Sequence, residues 1–365
     1  MELFTMDRNF VKTYEIDKFE SAIWTERYYG DSDITLVVAA TPDLIQILSQ
    51  GTFVGLYGSK EVMMIDTIDI ESGSLKVTGQ GLLPWMNNRF IRATAAPEDK
   101  YWSPGAQPPG WYLWAIVYYW LIATQSFPMG VPNPQVLAIP NLGLKSYDQS
   151  GSVALAVPYG PVYDAMRAIA TAYEIGIRIT LEPTVAVPGQ LLFQSYKGLD
   201  HTTAQSVNPI VRFSPQMDTL TNIKELQSIS GYKNLVYSFC PPNPDGLAPS
   251  CGSASVSGPT GWDLRAELTF EEDITTDMVG GNASTMQSLL NSRATLAMNN
   301  ARAVKAVDGT IVPLHQFQYN IDYSLGDVIE VQGNSGVVQS SRITEYIRAQ
   351  DSSGEKAYPT VAMLG

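Results

Sequence analysis

The sequence predicts a mainly β protein with α+β insertions, and three observations carry that expectation. Charged residues make up 16% of the chain, against roughly 25% in an average globular protein. Turn formers and rings are abundant: 29 Gly, 23 Pro and 10% aromatics among 365 residues. Short apolar runs rich in β-branched residues recur at close spacing over the first 95 residues, a pattern of small barrels or sandwiches and not of helical bundles. At about 150 residues per domain the length allows two or three domains. A 45% hydrophobic content with dispersed charge excludes a disordered chain.

The elements follow in order. Ala22–Tyr29 and Ile34–Ala39 read as strands, and Thr41-Pro42-Asp43 opens a short helix: Thr41 caps it, Pro42 takes its first position, and Leu44, Ile45 and Leu48 form its apolar face. Thr52–Tyr57, Glu61–Ile70 and Leu75–Gly79 resume the strand pattern. Four prolines between Ala95 and Gly110 rule out a central strand and mark an excursion into a second module. It holds a helix from Trp111 to Gln125, then a second helix opening at Gly160-Pro161. In the second, Val162, Met166, Ile169 and Tyr173 are spaced four, three and four apart, and Gly176 is available as a left-handed cap. Strands at Arg178–Glu182 and Gln190–Tyr196 complete an α+β module. Further strands are expected at Ile210–Ser214, Tyr232–Phe239, Thr310–Leu314, Asp327–Val331, Gly336–Arg348 and Tyr358–Val361. A helix of about five turns is expected from Met286 to Val304, and a hairpin turn at Asp351–Gly354.

A net charge of −13 argues against a nucleic-acid-wrapping or anionic-membrane surface. The first residues lack the basic and apolar regions of a secretory signal. The uncharged run Trp111–Ala123 is thirteen residues, short of the roughly 20 that span a bilayer. No membrane role is expected. Within that run Trp111, Trp114 and Tyr118 share a stripe while Tyr112, Tyr119 and Trp120 lie elsewhere round the helix. An apolar surface of this kind is buried in a domain core or against a neighbouring chain. Trp111, Trp114, Tyr118 and Trp120 are therefore candidates for core or interface, with both readings open.

Chemistry-bearing residues are sparse. His201 and His315 have no companion motif and read as surface or packing histidines. There is no G-x-S-x-G, no P-loop, no H-E-x-x-H and no C-x-x-C. Carboxylate groups at Asp66, Asp69 and Glu71, and at Glu271-Glu272-Asp273, could supply the pair a glycosidase needs, but they are candidates by abundance only and a solvated strand face is the better explanation. Asp31 and Asp33 lack the rest of an EF-hand loop. Cys240 and Cys251 bracket a loop rich in Pro, Gly and Ser. A disulfide there would close it, and free thiols are the default in a reducing cytosol. No cofactor or metal is expected.

Several segments resemble minor tail proteins of long-tailed actinobacteriophages, the Gp37-like siphovirus family: Phe10–Asp17, Phe19–Tyr29 and Leu36–Pro42 near the start; Val211–Ser214 and Tyr232–Leu235 in the middle; Tyr323–Val331, Arg342–Glu345 and Pro359–Val361 at the end. The resemblance implies a baseplate-hub architecture with two related small β-barrels. Residues 1–95 would form the first barrel. Residues 206–239 and 306–365 would form a discontinuous second, with 96–205 an α+β domain carrying the aromatic helix and 240–305 a loop-rich and helical insertion. It further implies a non-enzymatic homotrimer at the virion tail tip, assembled in the host cytoplasm. Such a hub closes the tail tube, adapts sixfold tube to threefold tip, and forms a channel for DNA and tape measure protein. Its neighbours would be the distal tail protein ring and other minor tail proteins, and the genome would pass without specific binding. The rival expectation is a tail-associated protein that binds or degrades cell-envelope carbohydrate.

Overall fold

The computed structural model describes residues 1–92, 101–122, 139–184, 187, 189–240, 251–256, 258–271, 274, 283–311, 316–333 and 338–364. The chain opens with an N-terminal β-roll: β1 (Leu3–Met6), β2 (Lys12–Ile16), β3 (Ser21–Arg27), β4 (Asp33–Ala39), α1 (Pro42–Ile47), β5 (Phe53–Leu56), β6 (Val62–Glu71) and β7 (Ser74–Gly81). They pair in the order β3-β4-β7-β6-β5-β1-β2. Strict alternation builds its core: Ile34, Leu36 and Val38 of β4 point inward with Trp24, Ile65 and Val77. Helix α1 starts as its sequence requires, with Thr41 Oγ1 accepting from Leu44 N at 3.3 Å and Pro42 in the first turn. Strands β1 and β2 are additions to the sequence reading; both are short, and four of the five β2 residues face solvent, so no apolar run announces them.

The middle of the chain holds α2 (Pro109–Val117), β8 (Leu142–Leu144), α3 (Val162–Ala172), β9 (Gly176–Leu181) and β10 (Leu191–Tyr196). Helix α2 widens into a π-turn over Tyr118–Ile122. The sheet β8-β10-β9 and the two helices enclose one core that includes Leu113, Ile116, Trp120, Met166, Ile177 and Phe193. The stripe expected on the aromatic helix divides. Trp120 is buried, Trp111 is half-buried and stacks on Trp102 at 5.8 Å, and Trp114 stacks on the exposed Tyr118 at 5.1 Å along the outer side. The tight inner face instead uses Tyr112, Leu113, Ile116 and Val117, which lie three to four residues apart on the side of α2 turned toward α3 and the sheet, and after Val117 the π-turn shifts the register so that Trp120 and Leu121 are buried. The left-handed residue after α3 is Glu174 (φ 53), not Gly176, which opens β9.

The last third contains β11 (Arg212–Phe213), β12 (Leu220–Ser228), β13 (Leu235–Phe239), β14 (Cys251–Ser255), β15 (Ala266–Phe270), α4 (Ala283–Asn300), β16 (Val304–Ile311), β17 (Val328–Gln332), β18 (Val338–Asp351) and β19 (Gly354–Met363). Strands β12-β16-β19-β18 continue directly into β3, so the described residues form one thirteen-stranded sheet through both ends of the chain. Its ladder runs open, with β2 at one end and β12 at the other. Along one edge β18 pairs first with β17 over Val338–Arg342 and then with β3 over Glu345–Gln350. A second core gathers Val211, Phe213, Tyr323, Ile329, Ile343 and Val361.

Within 206–239, β11 and β12 join this large sheet, whereas β13 pairs with β14 and β15 in a separate three-stranded sheet. That sheet lies on α4, closely enough that a Cβ on Gly252 would fall 2.1 Å from the Leu290 carbonyl carbon. Helix α4 stops at Asn300, and Val304 starts a strand that runs straight through Asp308-Gly309. No disulfide joins Cys240 and Cys251. Phe239 sits opposite Cys251, so Cys240 belongs to the alternate face of the sheet, where it meets the apolar cluster on α4, and the bridge lacks a shared face.

The inner and outer aromatics of the helix should separate in stability. Trp120→Ala should cost about 3–5 kcal/mol as a core aromatic. Tyr118→Ala should cost about 1 kcal/mol or less, since it loses only ring contacts with Trp114 and Tyr119 at an exposed position. Urea unfolding of both variants checks this.

Candidate functional site

The expected chemical residues are scattered. His201 is buried, its Nδ1 2.8 Å from Pro209 O and its Nε2 3.4 Å from Asp327. Asp327 itself accepts from the backbone N–H groups of Leu199 and Ser324, both at 2.7 Å, and burial raises its pKa. Among the described residues no hydroxyl or thiol bonds to the imidazole, so this pair tethers the 197–211 segment to the 324–327 turn. His315, Glu272 and Asp273 lie outside the described residues. Asp69 and Glu71 face solvent, and Asp66 accepts from Thr78 Oγ1 at 3.3 Å beside a bulge in β6. Asp31 accepts from Tyr163 OH, Asp33 pairs with Arg27, and Glu271 lies 3.7 Å from Arg293. Among the described residues no group of three or more His, Cys, Asp or Glu could hold a metal, and no helix is long and apolar enough to cross a membrane.

What the fold does bring together is a junction. Strand β3 ends at Arg27, and the next residue, Tyr28, is fully buried where the N-terminal roll, the α+β domain and the C-terminal roll meet. Its N–H donates to Thr344 O at 2.8 Å, its carbonyl accepts from Ile177 N at 3.0 Å, and its hydroxyl lies 3.2 Å from Glu174 O and 3.1 Å from Tyr196 O. Thr344 occupies the bulge between Ile343 and Glu345 in the β18–β19 ladder, which turns its carbonyl toward Tyr28. Two glycines make room for the ring: a Cβ on Gly176 would fall 2.1 Å from it, and one on Gly326 2.2 Å. Gly326 also has φ +89, where a side chain is strained. The Arg342 guanidinium lies 5.6 Å from the Tyr28 ring and donates to Gly326 O at 2.7 Å. Arg27 Nε reaches Glu345 at 2.7 Å.

Beside this joint lies a pair of carboxyl groups absent from the sequence reading. Glu26 is buried and accepts from Trp24 Nε1 (3.1 Å), Ser59 Oγ (2.6 Å) and Tyr319 OH (2.9 Å). Glu61 is half-buried and bonds Ser32 Oγ. Desolvation first, then the negative charge of Glu26, pushes the Glu61 pKa up to about 8; Ser32 and Arg178 act in the opposite direction. Arg178 also covers the Tyr196 ring at 4.3 Å, and Tyr319 stacks on Tyr346 at 3.7 Å. Neither glutamate lines the clefts of about 290, 410 and 530 Å³ among the described residues. The cluster lies inside the joint between the first and last strands of the large sheet. Sequence reasoning passed over it because each glutamate reads as an ordinary polar strand position; the signal available was that Glu26 stands between Trp24 and Tyr28 in a strand end otherwise built for burial.

This architecture recurs in solved structures. The tail protein from Neisseria meningitidis MC58 matches at TM-score 0.58 and 12% identity, over 99% of this chain and 96% of its own. The 43 kDa tail protein of prophage MuSo2 from Shewanella oneidensis matches at 0.54 and 11%, over 99% and 98%. Prophage tail protein gp18 from Listeria monocytogenes EGD-e matches at 0.52 and 10%, over 99% and 94%. At these identities the likeness establishes the fold, which is that of phage and prophage tail proteins. No curated protein sequence matches the chain. Residues 1–239 match the sequence profile of the Siphovirus ReqiPepy6 Gp37-like proteins, and the chain belongs to that family. It is thus a siphovirus-family chain with the fold of phage and prophage tail proteins.

Two outcomes are expected at the joint. Gly176→Ala and Gly326→Ala should each destabilise the chain by about 1–3 kcal/mol or more through overpacking against Tyr28, read by thermal melting. Because the folded state raises the Glu61 pKa above its ordinary 4.5, the folded protein holds that proton more tightly than the unfolded chain. The contribution of Glu61 is then intact below its unfolded pKa and is lost as pH rises through about 8. Glu61→Gln should flatten the loss of stability across that window in melts run at a series of pH values.

Proposed function

We propose that the chain is a non-enzymatic tail hub that closes the distal end of a phage tail tube. Residues 1–95 serve as one barrel module, with 206–239 and 306–365 as the other; 96–205 and 240–305 are insertions, the second drawing β13 into its own sheet. The observation that carries this reading is the six-residue β3–β18 pairing, which welds the two rolls into one sheet around Tyr28. Two β modules fixed rigidly in one chain give three copies six similar modules, and this is how a threefold tip meets a sixfold tube. Three copies also triple the charge of −13, and an acidic channel wall would let DNA and the tape measure protein pass without adhering. Its neighbours in the tip are the distal tail protein ring and other minor tail proteins.

A cryo-EM reconstruction of the tail tip should show three copies in a closed ring at the end of the tube. Six copies, or a position outside the tube axis, would overturn the reading. Purified protein should leave murein and envelope polysaccharide undigested; measured hydrolysis would replace the hub with an enzyme.

A further inference from the structure

Two surfaces distant in sequence have complementary chemistry. The first is the turn over residues 260–264, closed by Asp263 N donating to Thr260 O (3.2 Å) and Leu264 N donating to Gly261 O (3.2 Å). It is held rigidly by the buried side chain of Asn234, whose Nδ2 donates to Asp263 O at 2.7 Å and whose Oδ1 accepts from Arg265 N at 2.8 Å. At its tip Trp262 is 101% exposed. Asp263 beside it is exposed, and its carboxylate makes no ion pair among the described residues. A firmly anchored turn that presents its largest apolar side chain entirely to water gains nothing from that side chain within the monomer.

The second surface is a cleft of about 410 Å³ between the N-terminal roll and the α+β domain, within the usual volume range of binding pockets. Its walls are apolar, with Phe10, Phe53, Met64 and the exposed Trp85, and Arg8 and Arg89 stand among them. No Asp or Glu lines it, in a chain of net charge −13. Phe10 is held at φ 60, a strained conformation for an aromatic residue, by Asp7 Oδ1 accepting from Asn9 N and Val11 N at 2.8 and 2.9 Å. This sets its ring against Phe53 at 4.7 Å. Local strain at a cleft wall is found where a binding surface is pre-shaped.

We propose that the Trp262–Asp263 turn of one copy docks into this cleft of the next copy, the indole entering between the aromatic walls and the Asp263 carboxylate meeting Arg8. The contact joins two different patches, so it is head-to-tail and repeats round a ring. It rests on the oligomeric reading above and supplies that reading with an interface.

Native mass spectrometry of the full chain tests it. Wild type should form closed rings. Trp262→Ala should raise the dissociation constant roughly thirtyfold or more, as loss of an interface anchor does. Arg8→Glu and Asp263→Arg should each weaken assembly by at least about tenfold, and the double variant should regain most of the loss. Thermal melts of the single variants, run dilute enough that wild type is also monomeric, should match wild type, because all three side chains are exposed. If Trp262→Ala assembles like wild type, or if the double variant assembles no better than the weaker single one, the docking is wrong while the oligomer stands. A wild-type chain that stays monomeric removes the oligomeric reading and the docking together.

Discussion

The burial of Tyr28 is the constraint on which the rest of the molecule depends. The residue at the end of β3 has its ring packed against a glycine from the α+β domain and a glycine from the turn before β17, while its backbone N–H donates to a carbonyl in the bulge of β18. These contacts come from two other parts of the fold, the α+β domain and the C-terminal strands. An aromatic of this size removed from water is worth several kcal/mol, and here that energy is spent on relative placement, because the ring fits only if all three parts are in position. The β3–β18 ladder and the Arg27–Glu345 pair then extend the fixed geometry along the sheet.

This explains why the segments that carry the family resemblance are so widely separated in the chain. Phe19–Tyr29, Tyr323–Val331 and Arg342–Glu345 share no composition, yet Tyr28, Gly326, Arg342 and Thr344 are neighbours in space. The motifs are the faces of one joint. Tyr232–Leu235 has a comparable local logic, since Asn234 is the buried clamp on a distant turn.

Strands with alternating burial, such as β4 and β7, were legible in the sequence because one face is packed and the other wet. The α1 cap and the Asp351–Gly354 turn were legible because their side chains hydrogen-bond locally, as Thr41 and Asp351 do. The limits of the aromatic helix were not, since a π-turn changes the period within an unbroken apolar run. The role of Gly176 was misread for a related reason: a glycine after a helix suggests a cap, and the ring that requires it lies 148 positions earlier in the chain. Glu26 and Glu61 were invisible because their character comes from partners such as Tyr319 and Arg178, which only tertiary structure brings near. The general lesson is that contacts closed within a few residues leave a pattern, and contacts closed across domains leave only unexplained Gly, Tyr and Glu.

The pairing of β3 with β18 has a further consequence for how the chain comes into being. Strand β3 leaves the ribosome more than 300 residues before the partner it pairs with. At about 5–20 residues per second, the N-terminal roll waits tens of seconds with an open hydrogen-bonding edge. Contacts of such long sequence separation are slow to form and leave nascent chains prone to edge-to-edge aggregation. The sheet is thus completed only after β18 has been made, and a chain interrupted before the β18–β19 hairpin would carry an unsatisfied strand edge that exposes it to aggregation or degradation.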